Sequence, residues 1–317
     1  MIHIACCSNE KMAPMFGVVM TSVGVNVKSD DVMLYLLHNG LKVKTIKRLN
    51  EISRRYNVSL RLMEIDSNIL KHCSVDANIH YADIMMYARL LLPTMLPDLD
   101  KVIYLDCDLV VNSDLKELWD FDVNGVAVAM APDHLYKDAT TLERLKMTNG
   151  EYLNSGVIVM NLEYWRKHNV QNRVLAFIEE NGKQLIYFDQ DALNVTLQNE
   201  RRKLPIKYDY TPYHLFRNLD NFPSEINEEI CKARTAPTIF HYMGPTKPWS
   251  LGSYVPGKEL FKKYQRLSGW RHYVVNKLLF KRILYTLIPK LKKKGWENKT
   301  YIEGWERLYL NEERLTR

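Results

Sequence analysis

No C-x-x-C pair occurs in this chain. Its five cysteines, Cys6, Cys7, Cys73, Cys107 and Cys231, are odd in number, and two are adjacent. That excludes a disulfide framework and the usual zinc spacings, and fits reduced thiols in a cytosolic compartment. No uncharged apolar stretch is long enough to cross a bilayer. The N-terminus lacks the basic and apolar regions of a signal peptide, and Ile2-His3-Ile4-Ala5 reads as a strand instead. Internal repeats and low-complexity tracts are missing as well.

What is present is the composition of a soluble globular protein, with 46% hydrophobic and 26% charged residues in 317. The net charge of +7 is uneven. Residues Arg271 to Arg317 hold 12 Lys/Arg against 5 Asp/Glu, which equals the whole surplus. The remaining 270 residues balance at 32 of each sign. The body therefore has no general affinity for polyanions, and no nucleic-acid reading motif is present.

The first half alternates strands and helices. Strands are expected at Ile2–Cys6, Val32–Leu37, Val58–Ile65 and Val102–Leu105. Helices are expected at Phe16–Val27, Leu41–Tyr56 and Tyr81–Leu92, the last stopped by Pro93. This order predicts an α/β fold, a Rossmann-like, mostly parallel sheet with helices on both faces. The second half adds strands at Val126–Ala131, Gly156–Met160 and Thr238–Met243, and helices at Glu163–Glu180 and Asp191–Gln198. A boundary is expected at Pro248–Gly257. It divides residues 1–255 from a basic, aromatic, helical extension, residues 256–317.

The chemistry starts at Asp106-Cys107-Asp108, at the end of the apolar run Lys101 to Leu105. In a strand, residues i and i+2 point to one side. Asp106 and Asp108 could then meet one hard cation, with Cys107 facing the core. A cation held by few protein ligands keeps positions open for diphosphate oxygens. Solvated turn carboxylates are the alternative.

Four further segments carry polar groups in unusual places. Tyr87-Ala88-Arg89-Leu90 puts an Arg just upstream of the acidic strand, either on the surface or within reach of a diphosphate or sugar. Asn154-Ser155-Gly156 opens an apolar strand, as a ligand-binding backbone or as a simple turn. Phe188-Asp189-Gln190-Asp191 stands at a helix start, where the acids either cap the helix or meet sugar hydroxyls. His241-Tyr242-Met243-Gly244-Pro245-Thr246-Lys247-Pro248-Trp249 sets one Lys in a rigid loop beside an indole.

In this order the motifs Y-A-R-L, Y-L-D-C-D, N-S-G-V-I-V-M-N, F-D-Q-D-A-L-N and H-Y-M-G-P-T-K-P-W resemble the retaining glycosyltransferases of family 8. That group contains glycogenin and the bacterial lipopolysaccharide galactosyl- and glucosyltransferases. The resemblance runs from residue 2 to about Trp249. It implies a GT-A fold, a UDP-sugar donor and Mn²⁺, with Mg²⁺ as the alternative. Asp106, Asp108 and His241 would be the metal ligands. Gly244 and Lys247 would meet the diphosphate. Arg89, Asn154, Ser155, Asp189 and Gln190 would hold the donor sugar, and Ala5, Cys7, Asn9 and Cys107 the nucleotide side. The family often has an Asp in the first loop. This chain has Cys7 or Ser8 there, and either His80 or Tyr81 near the donor or acceptor.

The implied reaction moves galactose or glucose from a UDP-sugar to a hydroxyl of a bacterial surface glycan or glycolipid, with retention. Gln190, Asp189 and Asp191 are the candidate catalytic residues. A glutamine is a poor nucleophile, which favours same-face attack with UDP taking the acceptor proton. A UDP-sugar hydrolase or a non-catalytic sugar-nucleotide-binding protein is the alternative. Residues 271–294 hold eight cations and no acid, with Val275, Leu279, Ile283 and Leu287 at helical spacing. They suit an anionic membrane surface, as a peripheral enzyme on the inner face of the cell membrane.

Overall fold

A computed structural model of the chain describes residues 1–270, apart from 72, 74–82, 217–221, 245, 251–252 and 254. The basic segment 271–294, the rest of the tail, and His80 and Tyr81 lie outside the described residues.

Continuous apolar runs form the sheet centre, as strands covered on both faces must. These are β1 (Ile2–Ser8), β2 (Val32–His38), β4 (Lys101–Leu105), β6 (Val128–Pro132) and β7 (Leu153–Asn161). The edges are polar. β3 (Ser59–Glu64) exposes Ser59, Arg61 and Glu64, and β8 (Arg201–Lys203) is three consecutive cations. Charged edges discourage pairing with another chain.

The seven strands run in the order β3-β2-β1-β4-β7-β6-β8. β1 pairs in parallel with β2 and β4, β2 with β3, and β6 with β8. β7 is antiparallel to both β4 and β6. A second, two-stranded sheet joins β5 (Leu109–Val111) to β9 (Ile239–His241).

Two of these pairings position the functional residues. Because β7 is antiparallel, its beginning lies beside the end of β4, with Leu105 opposite Val157. The β5–β9 pair sets Leu109 opposite His241. The segments around residues 106–108, 154–156 and 241 therefore converge from three distant parts of the sequence.

The helix Ala13–Asn26 is buried along almost its whole length. Helices Val43–Tyr56 and Lys258–Leu267 are amphipathic. The core continues past residue 255, where the sequence placed a boundary. Phe261 and Tyr264 are fully buried, and the Tyr264 hydroxyl accepts from the Asn26 amide at 2.7 Å.

Local chemistry shifts several expected elements. The run through residue 111 is not one strand. β4 ends at Leu105, a turn carries Asp106 to Asp108, and β5 follows in the other sheet. The expected helix Tyr81–Leu92 is a 3₁₀ helix, Ile84–Leu91, whose first turn is capped by the Asp83 carboxylate. Pro93 then sits in the first turn of the short helix Leu92–Met95, where its missing N–H is not needed. The expected helix Glu163–Glu180 is two, Leu162–Lys167 and Val170–Asn181. Asn169 between them is left-handed, with φ 51°.

Candidate active site

Asp106 and Asp108 lie in the turn between β4 and β5, not on a strand. Backbone bonds fix this turn on both sides. The Asp106 N–H donates to the Gly156 carbonyl at 2.8 Å, and the Tyr242 N–H to the Asp108 carbonyl at 2.8 Å. Both carboxylates thereby face His241. Asp108 Oδ1 is 3.2 Å and Asp106 Oδ2 is 3.9 Å from His241 Nε2. Three ligand-capable atoms, one from each residue, lie within 4.8 Å of one another.

Each member of this trio has a second partner. Asp106 accepts from the Tyr104 hydroxyl at 2.8 Å and from Arg89 Nη2 at 2.9 Å. Lys247 Nζ reaches Asp108 Oδ2 and the Tyr242 carbonyl. Burial opposes ionisation of Asp108, but Lys247 and His241 outweigh it and hold this carboxyl well below the usual range. His241 Nδ1 lies 2.8 Å from Asp209 Oδ1.

The trio opens on a cavity of about 320 Å³. Arg89, Asn154, Ser155, Asp189, Gln190, Gly244 and Lys247 line it together with Asp106, Asp108 and His241. Asn154 and Ser155 belong to β7 itself and do not form a loop before it. Asp189 and Gln190 open the helix Phe188–Thr196, which starts earlier than the sequence suggested. Phe188 has φ 49°, a costly conformation for a bulky residue, immediately before these two.

Arg89 is neither on the surface nor free to reach out. It is 4% exposed, stacks over the Tyr104 ring at 4.2 Å, and ties Asp106 to Asp189, whose Oδ2 is 3.1 Å from its Nε. Burial raises the Asp189 pKa to about 6, with Arg89 opposing and Asp106 assisting the rise. Gln190 is anchored at both ends. Its Oε1 accepts from the Ser155 N–H at 2.9 Å, and its Nε2 donates to the Tyr152 hydroxyl at 3.2 Å.

The remaining sequence candidates do not line this cavity. Asp191 is fully buried and saturated. It accepts from Arg144, the Tyr152 hydroxyl and the N–H groups of Ile186 and Tyr187. Helix geometry separates it from Asp189, because residues two apart on a helix point apart. Ala5 is buried in β1, and Cys7 is at its end. Asn9 uses its oxygen on the Met12 N–H and its amide nitrogen on Asp83. Cys107 is buried and donates to the Cys7 carbonyl.

Other residues in the cavity lining, or directly behind it, were not singled out from the sequence. Asp133, after β6, accepts from Asn154 Nδ2 at 2.6 Å and pairs with His134 at 2.7 Å. His134 stacks on Tyr213 at 4.3 Å between centroids, and both line the cavity. Asp-His at a strand end was the available clue. Gly244, with φ 98°, packs so closely on Tyr213 that a Cβ would lie 2.7 Å from its hydroxyl. Asp209, among aromatic residues, offered no clue.

Two carboxylates and an imidazole suit a divalent cation of the Mn²⁺ or Mg²⁺ kind. Lys247 pairing with Asp108 shows that a positive charge is accommodated there. A cation at His241 Nε2 would replace the proton shared with Asp108, as metal binding to imidazole requires.

The profile described as glycosyl transferase family 8 matches residues 3–251. General stress protein A of Bacillus subtilis is 30% identical over 280 residues, covering 85% of this chain and 94% of that protein. A lipopolysaccharide 1,2-glucosyltransferase of Escherichia coli is 29% identical over 263 residues, covering 80% of this chain and 74% of that protein. The crystal structure of galactosyltransferase LgtC with donor and acceptor sugar analogs superposes with a TM-score of 0.77 at 22% identity. That match covers 88% of this chain and all of the other. The fold is GT-A, and the chain belongs to glycosyl transferase family 8.

Proposed function

We propose that this glycosyltransferase moves galactose or glucose from a UDP-sugar to a hydroxyl of a bacterial surface glycan or glycolipid, with retention at the anomeric carbon. One observation carries this reading. The Asp106, Asp108 and His241 trio and Lys247 line the same cavity as Asn154, Asp189 and Gln190. A leaving diphosphate fits the first group and a hexose the second.

Asp106, Asp108 and His241 would hold Mn²⁺ or Mg²⁺, which when bound neutralises charge on the departing diphosphate. Lys247 adds a fixed positive charge beside the trio, where negative charge grows as the anomeric C–O bond breaks. Gly244, close to Lys247, offers its backbone to the same oxygens. Asn154 and Gln190 have amides oriented by Asp133, Ser155 and Tyr152, as recognition of sugar hydroxyls requires. Ala5 and Cys7, in β1, and Asn9, just beyond its end, would serve the nucleotide side.

Retention needs a protein nucleophile or attack on the face the leaving group departs from. Gln190 is held by hydrogen bonds at both ends. Asp189 is bound to Arg89, and Asp191 faces away. This supports same-face attack, with the acceptor proton passing to the leaving diphosphate. The tail, residues 271–294, would dock the enzyme on an anionic inner membrane surface.

The test is incubation of the purified chain with UDP-galactose or UDP-glucose, Mn²⁺ and an oligosaccharide acceptor. NMR of the product should show an α-linkage from the α-donor. An inverted product, or a glycosyl adduct trapped on Asp189, would overturn the mechanism. Absence of transfer with every UDP-sugar would overturn the activity.

A further inference from the structure

We propose that Asp209 is a positioning residue for the cation site. It would fix the His241 ring so that Nε2, and not Nδ1, is offered to the cation. The inference rests on the reading of Asp106, Asp108 and His241 as cation ligands.

The backbone places Asp209 deliberately behind the ring. The segment Lys207 to Tyr210 runs beside β9. The Thr238 N–H donates to the Lys207 carbonyl at 2.8 Å, the Tyr210 N–H to Ile239 at 3.1 Å, and the His241 N–H to Tyr210 at 2.9 Å. Between these bonds Asp209 is fully buried, with Oδ1 2.8 Å from His241 Nδ1. Its Oδ2 has no hydrogen-bond partner among the described residues. A buried carboxylate with one partner is costly. An amide or an apolar residue would serve the packing alone, so the charge points to a task at the imidazole.

The ring has little other freedom. One flank lies on Gly156, where a Cβ would fall 2.2 Å from His241 Cε1. The glycine that the sequence suggested would admit a ligand admits this imidazole instead. With Nδ1–H held by Asp209, Nε2 is the nitrogen turned to Asp108 and Asp106, and its lone pair serves a cation once the proton shared with Asp108 has left. A carboxylate behind a ligating imidazole fixes its tautomer and strengthens it as a donor.

The experiment uses the full chain and Mn²⁺ alone as probe, with affinity read by calorimetry or by the EPR signal of free Mn²⁺. Asp209→Ala should weaken Mn²⁺ binding by about 10–100-fold. It should also raise the Mn²⁺ concentration for half-maximal transfer, while kcat at saturating Mn²⁺ stays near that of the unaltered chain. Asp209→Asn keeps an acceptor for Nδ1–H but not the charge, and should weaken Mn²⁺ binding severalfold, less than Asp209→Ala does. Unchanged Mn²⁺ affinity in a folded Asp209→Ala protein overturns the proposal. If Asp209→Ala does not fold, Asp209→Asn decides: weaker Mn²⁺ binding at unchanged Tm supports the proposal, and unchanged binding overturns it. Asp108→Ala and His241→Ala separate the two readings. If they too bind Mn²⁺ normally, the cation site itself is wrong. If only they lose it, the site stands and the role of Asp209 falls.

Discussion

Asp106-Cys107-Asp108 and Asp189-Gln190-Asp191 space their carboxylates identically, yet the first delivers two to the cavity and the second delivers one. The first triplet is in a turn pinned by β7 and by Tyr242, which converges both acids on His241. The second lies on a helix, where the alternate residue rotates away and Asp191 becomes an internal lock. The middle residues swap roles as well. Cys107 is buried behind the first pair, whereas Gln190 faces the cavity. Spacing alone does not say which acids act; the backbone beneath them does.

The sharpest break of this comparison is Asp108→Ala against Asp191→Ala. Asp108→Ala should lower kcat for sugar transfer by about 10²–10³-fold, with a smaller loss of stability than Asp191→Ala. Asp191→Ala should do the reverse. It strands Arg144, the Tyr152 hydroxyl and two N–H groups, and should lower stability by about 3 kcal/mol in denaturant unfolding. A fall in kcat at unchanged stability for Asp191→Ala would place that acid in the chemistry after all. Gln190→Ala should cost about 10–100-fold in kcat, through lost orientation of the sugar.

A pH scan separates Asp189 from its neighbours. Its folded pKa, about 6, lies above its ordinary 3.8, so the folded chain binds this proton first as pH falls. The stabilising contribution is full below about pH 4 and is lost as pH rises through about 6. Asp189→Asn should remove this component from the urea stability profile across that window. An unaltered slope would show that Arg89 holds Asp189 ionised throughout. The smallest effect is expected at the middle of the first triplet. Cys107→Ala should cost about 1 kcal/mol and leave kcat within a few-fold. A large loss of activity there would bring the thiol to the substrate.

Much of this was legible in the sequence. Apolar runs alternating with amphipathic segments placed β1, β2 and β4 within a residue or two. The acidic pair was found, although strand alternation was the wrong reason for its convergence. The helix break at Asn169 was missed because a left-handed residue leaves the apolar period almost intact. Asp133 and Asp209 were missed for a different reason. Their importance comes from partners on other elements, Asn154 and His241, and no local pattern records such a contact. Arg89 could not be weighed from its own segment either, because its burial depends on Tyr104 and Asp189.

Gly156 has a consequence for attempts to alter sugar choice. A saturation library across Asn154-Ser155-Gly156 looks like a library of donor specificity. Its first two positions border the cavity, but the third is the mould in which an imidazole is cast. Variants at that position should score as inactive for want of a cation rather than for misreading a sugar. Any altered-specificity screen should therefore hold this glycine constant.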